Sequence, residues 1–107
     1  FPYTTLFRSG AEIIRKPGKV DVRLAGINIF IAPVTEGDGV APPPLPPYQG
    51  LDHFGLTVDN LDDIAAELKN KGVVFTQEPI TIRTGVRGCF IRGPENISIE
   101  ILERHLG

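Results

Sequence analysis

The rarest reactive side chains in this 107-residue sequence are two histidines and one cysteine, so His53, His105 and Cys89 are the first places to look for chemistry. His53 gains interest when set beside Glu100. An imidazole and a carboxylate on one surface are half of a mixed nitrogen and oxygen site for a divalent metal such as Zn, Ni, Mn or Fe. Two such residues are a thin basis alone, because a histidine near a strand start and a glutamate on a final strand are commonly solvated. Cys89 alternates with Phe90 and faces the same way as Ile91, which suits a small core residue better than a nucleophile, no histidine lying near it in sequence. His105 falls in the C-terminal tail and is expected to face solvent.

The elements that must position His53 and Glu100 follow from hydrophobic spacing. Leu51 to Val58 reads as a strand with Phe54, Leu56 and Val58 on one face and His53, Gly55 and Thr57 on the other. A helix follows, with Leu61, Ile64, Ala65 and Leu68 at i, i+3, i+4 and i+7. Asp59 or Asn60 can cap it, Asp62 and Asp63 suit its first turn, Lys69 and Lys71 its last, and Gly72 its exit. Three further strands are expected over 73–78, 86–92 and 97–103, the last two joined by Gly93-Pro94-Glu95-Asn96. The order is β-α-β-β-β. In the last strand Ile97, Ile99 and Ile101 oppose Ser98, Glu100 and Leu102. If the helix covers the Phe54, Leu56, Val58 face, His53 and Glu100 share the face turned away from it.

Upstream, Val20, Val22 and Leu24 alternate with Asp21 and Arg23, and the run 27–31 (INIFI) alternates again, which predicts a hairpin. Glu12 to Arg15 is a candidate third strand ahead of Pro17-Gly18. Residues 11–33 thus read as the closing strands of a partial first module. Residues 34–50 form a Pro-rich linker, in which PPPLPP serves as a stiff spacer rather than a polyproline II ligand, and the complete module occupies 51–104. Phe1 to Gly10 fit neither pattern: PYTTLFRS resembles translated sequencing-adaptor sequence, and the segment is read as non-native or disordered, a short edge strand being the alternative. A weak internal repeat lays 22–33 over 89–103, matching Ile27, Ile29 and Ile31 to Ile97, Ile99 and Ile101.

Composition narrows the classes. With 41% hydrophobic and 22% charged residues the chain is suited to a packed domain, not to disorder, and no apolar run approaches the roughly 18 residues of a membrane span. Eleven Lys and Arg against thirteen Asp and Glu, with no basic stripe, give no nucleic-acid footprint. One cysteine excludes an intramolecular disulfide framework, and with no secretory leader pattern the expected setting is cytoplasmic.

The segment 50–104 resembles the vicinal oxygen chelate superfamily, which includes glyoxalase, bleomycin-resistance and extradiol-dioxygenase proteins. The resemblance rests on GLDHFGLTVDNLDDIAAELKNKGVVFTQEP and on the closing FIRGPENISIEILE. It implies an α+β fold in which paired β-α-β-β-β modules form a cupped mixed sheet around a metal, here with the first module truncated. It further implies that His53 is a first-strand metal ligand and that Glu100 is a last-strand ligand and the catalytic acid or base. Phe30, Thr57, Phe90 and Leu102 are expected to line the substrate cup. The sequence departs from the pattern at Phe30, which aligns with Glu100 but has no lone pair for a metal; Asn28 on the same face would be an unusual substitute. The first module's own first-strand ligand is not found, so the metal is expected to draw on a partner chain, a missing segment or water, or to have been lost in this fragment.

Three functions compete. A metal-dependent lyase or isomerase moving a proton next to a carbonyl comes first. A metal-free module that sequesters an apolar small molecule, as a resistance protein does, is the alternative favoured by Phe30. An extradiol dioxygenase is third, since it needs two histidines and one carboxylate. The partner is a small molecule. Arg83, Arg87 and Arg92 could meet an anionic group or be plain solvated charges, and Tyr48 with the loop 36–40 could rim the pocket. An uncovered sheet edge leads to the expectation of a homodimer.

Overall fold

The computed structural model describes residues 12–24 and 26–105; Phe1 to Gly10, the segment expected to be non-native or disordered, lies outside the described residues. The chain divides at Pro43/Pro44 into two compact units. Together they give an α+β protein with two sheets and one helix among the described residues.

The first unit is an antiparallel meander of β1 (Glu12–Lys16), β2 (Lys19–Leu24) and β3 (Ile27–Ile31) in sheet order β1-β2-β3. The alternating pattern places Val22 fully buried on one face of the central strand and Asp21 buried on the other. A carboxylate can stay covered because Lys16 Nζ lies 2.6 Å from its Oδ2 and Lys19 Nζ 3.9 Å from its Oδ1. The Lys16 contact holds the Asp21 carboxyl below its ordinary range against the opposing effect of burial.

The second unit contains β4 (Phe54–Thr57), the helix α1 (Leu61–Asn70), β5 (Phe75–Arg83), β6 (Val86–Arg92) and β7 (Ser98–Arg104), in the expected order. Its mixed sheet runs β4-β7-β6-β5, with β4 parallel to β7 and the other pairs antiparallel. The meander β5-β6-β7 has the connectivity of β1-β2-β3, as the internal repeat leads one to expect.

The apolar stripe of α1, Leu61, Ile64, Ala65 and Leu68, is buried, as are Leu56, Cys89, Ile91, Ile99 and Ile101 of the sheet. Removing a fully buried side chain of the size of Leu68 or Ile101 from water stabilises the fold by about 1.5–3 kcal/mol each. The helix ends as Gly72 turns to φ 82°, while Val73 N–H bonds Leu68 O at 3.0 Å. Its start departs from expectation. The side chain of Asn60, at the cap position, makes no capping hydrogen bond; the Leu61 N–H instead donates to Glu103 Oε1 on β7 at 3.1 Å. A carboxylate 42 residues away thus satisfies one of the open N–H groups at the helix start, where a side-chain cap from Asp59 or Asn60 was expected.

Two boundaries also shift. β5 continues to Arg83 rather than stopping at Glu78, because Pro79 lies on an edge strand where a missing N–H is tolerated, with register irregularities on either side. β4 starts at Phe54, where pairing with Ile99 begins, so His53 precedes the strand. No helix among the described residues is long and apolar enough to cross a membrane.

Candidate active site

Strand register determines which side chains meet on the sheet face turned away from α1. β7 is central: Glu100 is flanked by Gly55 of β4 and Phe90 of β6, and Leu102 by Thr57 and Gly88. Ile99 and Ile101 carry the opposite parity and pack toward the helix. The period of two thus puts Glu100 and Leu102 on the far face.

His53 joins Glu100 there. Its Nε2 lies 3.7 Å from Glu100 Oε1, and its ring meets Phe90 edge-on with centroids 5.2 Å apart. On the other side of the ring Nδ1 is 2.6 Å from Asp52 Oδ2. An ionised carboxylate can only accept, so Nδ1 is the donor in that contact and Nε2 is the nitrogen turned toward Glu100. The Glu100 side chain is 17% exposed and that of His53 35%. Asp52, 93% exposed, was not anticipated from the sequence; its only signal is adjacency to His53.

The donor types fit a divalent ion. Nitrogen and oxygen ligands at about 2.1 Å on one tetrahedral ion stand about 3.4 Å apart, a few tenths of an ångström under the 3.7 Å seen here. A carboxylate on the remote imidazole nitrogen is the usual outer support of a metal-bound histidine. Among the described residues no group of three or more His, Cys, Asp or Glu converges, so the other coordination positions would fall to water, substrate or further residues.

The remaining expectations divide. Thr57, Phe90 and Leu102 lie on the same face as Glu100. Phe30 lies in the three-stranded sheet, opposite Asp21, with Lys19 Nζ 5.7 Å from its ring centroid, and is 67% exposed. Arg87 is a partly exposed charge with a partner on the helix. It shares parity with Cys89 and forks onto Asp62 of the helix with two 3.0 Å bonds, which lower the Asp62 carboxyl and raise the guanidinium. Arg92 donates to Asn96 O at 3.2 Å. Cys89 is fully buried, as its position predicts, and burial pushes its thiol up to about 11. His105 is exposed, with Nε2 3.2 Å from Glu103 Oε2. Tyr48 donates to Leu51 O at 3.0 Å, and Asp38 closes its own turn by accepting from Thr35 N at 2.9 Å.

No curated protein matches the chain. Solved structures do: a glyoxalase-like protein from Bacillus halodurans superposes with a TM-score of 0.79 at 16% identity, over 96% of this chain and 82% of that one. A glyoxalase/dioxygenase from Nostoc punctiforme gives 0.75 at 16% identity, over 97% and 81%. A genomically encoded fosfomycin resistance protein from Listeria monocytogenes gives 0.65 at 20% identity, over 99% and 85%. At these identities the likeness establishes the fold. The family assignment comes from a sequence model matched across residues 25–101, a span holding β3, the linker, the helix and the His53 and Glu100 pair. On that match the chain belongs to the Glyoxalase/Bleomycin resistance protein/Dioxygenase superfamily.

Proposed function

We propose that the protein is a glyoxalase-type lyase or isomerase that moves a proton next to a carbonyl on a small molecule. In this reading His53 and Glu100 hold a divalent ion, Zn, Ni, Mn or Fe, and Glu100 carries the proton. The observation behind it is the pairing of an imidazole nitrogen with a carboxylate oxygen. His53 Nε2 and Glu100 Oε1 stand 3.7 Å apart, with the Asp52 carboxylate on the remote ring nitrogen, so a proton or a cation can lie between them. A divalent ion there would supply Lewis-acid polarisation of the substrate's oxygens. The chain's own contribution is otherwise positional. Asp52 fixes the tautomer of His53, Phe90 restrains the ring, and Leu102 supplies an apolar neighbour that limits water around the carboxylate. Glu100 then exchanges a proton with a substrate carbon seated beside its Oε1.

A metal-free binding module is the second reading. It is favoured by Phe30, which occupies the repeat position of Glu100 without a lone pair, and by the two-residue donor set among the described residues. The reading also includes a homodimer, supported by the β4 and β5 edges of the second sheet, and a cytoplasmic setting, which agrees with one cysteine kept as a thiol.

Thermal unfolding with Zn, Ni, Mn and Fe(II) separates the readings. A bound ion at hundredfold excess over its Kd stabilises the native state by about 2.7 kcal/mol, so at least one metal should raise Tm in the wild type and fail to do so in His53→Ala and Glu100→Gln. If no divalent ion shifts Tm, the metal reading is lost and small-molecule sequestration takes its place.

A further inference from the structure

The three arginines singled out by the sequence have separate fates. Arg87 is held by Asp62 on the helix side, and Arg83 pairs with Val86 at the end of the sheet remote from His53. Arg92 pairs with Ser98 and shares the parity of Phe90, so it stands on the face turned away from α1. Because β4 runs parallel to β7 with Phe54 opposite Ile99, His53 comes level with Ser98. His53, Ser98 and Arg92 thus form a row across β4, β7 and β6, with Glu100 and Phe90 in the next row. Ser98, the small middle member, is half-buried, and its hydroxyl has no partner among the described residues.

The turn that follows Arg92 fixes its guanidinium. Nη1 donates to Asn96 O at 3.2 Å, which draws the group toward the β7 side of the row. That carbonyl is presented by a turn in which Glu95 (φ 55°, ψ 33°) and Asn96 (φ 63°) are both left-handed, although neither is glycine. Ile97 N–H closes the turn onto Pro94 O at 3.2 Å, and Gly93 N–H onto Ile97 O at 2.8 Å. Backbone strain of this kind collects at ligand clamps. No carboxylate pairs with Arg92 among the described residues, so a part-buried, positioned guanidinium keeps most of its N–H groups for an anion.

We propose that Arg92 anchors the carboxylate of an oxo acid whose carbonyl end lies at His53 and Glu100, with the chain between them laid over Ser98. The inference rests on the proton-transfer reading, which puts the reacting carbon beside Glu100 Oε1. Strands two apart in a sheet are separated by roughly 9.6 Å, so with the reach of the arginine side chain allowed for, the carboxylate falls about two or three bonds from the carbonyl. A 2-oxo acid is too short, since its carboxylate would sit against Glu100 and Asp52. A 4-oxo acid spans the row and sets its anion on the guanidinium.

The test uses the full chain with 4-oxopentanoate and its uncharged methyl ester as probes, read by NMR shifts of the Arg92 Nε–H and the His53 ring. The acid should shift both signals saturably in the wild type, and the ester should bind about tenfold more weakly or worse. Arg92→Gln keeps an N–H for Asn96 O, so it should retain the fold, lose about tenfold or more in affinity for the acid and bind the ester as before. Arg92→Lys, which keeps the charge without the fork, should recover part of the loss. Arg83→Gln, at the other end of the sheet, should bind the acid as the wild type does. Equal binding of acid and ester, equal acid binding by Arg92→Gln, the same loss in Arg83→Gln, or no saturable shift in the wild type overturns the proposal. Tm shifts with the divalent metals on the same proteins keep the two inferences apart. A metal response alongside acid binding that ignores Arg92 rejects the anchor alone. Acid binding that needs Arg92 without any metal response supports the anchor and removes the metal reading.

Discussion

Glu103 Oε1 accepts the first backbone N–H of the helix, from Leu61, at 3.1 Å. The same carboxylate faces Arg87 Nη1 at 3.8 Å and His105 Nε2 at 3.2 Å through its other oxygen. One side chain of the last strand thus joins the helix start, a neighbouring strand and the tail. The Leu61 N–H is the largest influence holding its carboxyl below the ordinary value of 4.5, with His105 and Arg87 adding to it and burial opposing.

Because the folded state depresses this pKa, the stabilisation is present above the ordinary carboxylate value and is lost as pH falls through the lower folded one. Glu103→Gln keeps an oxygen acceptor but removes the charge. It should lower Tm by several degrees at pH 7, and the gap to wild type should close as pH drops below about 4.5. Thermal melts from pH 7 to pH 3 check this; a gap that stays constant to pH 3 means that charge is not what Glu103 supplies.

The capping contact shows why some of the fold was not legible in advance. The strands over 20–24 and 27–31 and the helix stripe Leu61, Ile64, Ala65, Leu68 are local periodicities, and the folded chain reproduces them. Parity along β7 and near β4 was also enough to put His53 and Glu100 on one face. Contacts between residues far apart in sequence carry no such local signal. Asn60 has the chemistry of a cap, yet Glu103 does the capping, because the sheet under the helix delivers a carboxylate to that spot. The strand expected over 73–78 runs on through Pro79 to Arg83, because position at a sheet edge removes the cost of the missing N–H. Arg87 shares parity with Cys89 and Ile91, a local signal that its reading as an anion contact or a solvated charge leaves unused, while the identity of Asp62 as its partner needs three dimensions.

Gly88→Ala should be destabilising. The methyl would press on Ile82 Cδ1 at 2.9 Å and Leu102 Cδ2 at 3.2 Å, both flexible tips, and on the Ile101 carbonyl at 3.3 Å, which is held in the β6-β7 ladder. Overpacking of this kind costs about 1–3 kcal/mol, and the mobility of the two side-chain tips puts the expected loss near the lower end. Urea unfolding should show a reduced midpoint at unchanged m-value. Ile82→Val in the same chain removes the closest atom and should restore part of the loss. An unaltered midpoint in Gly88→Ala would mean that the far face is looser than these distances indicate.

Cys89 provides a clock for opening of the core. It is fully buried between Ile101 on the neighbouring strand and the helix side of the sheet, and burial is the main reason its thiol rises from an ordinary 9.0 to about 11. That rise leaves about 100-fold less thiolate at pH 8 than in an unfolded chain, before any steric protection is counted. Labelling by a disulfide reagent at pH 8 should therefore run more than about 100-fold slower in the native protein than in concentrated urea, and proceed through transient opening. Leu68→Ala, which removes a fully buried side chain of the helix stripe at a cost of about 2–5 kcal/mol, should accelerate labelling in proportion to the stability lost. Native labelling as fast as in urea would contradict the burial of Cys89. Labelling that stays slow in the destabilised variant would show that the thiol is reached by a local movement that leaves the helix in place.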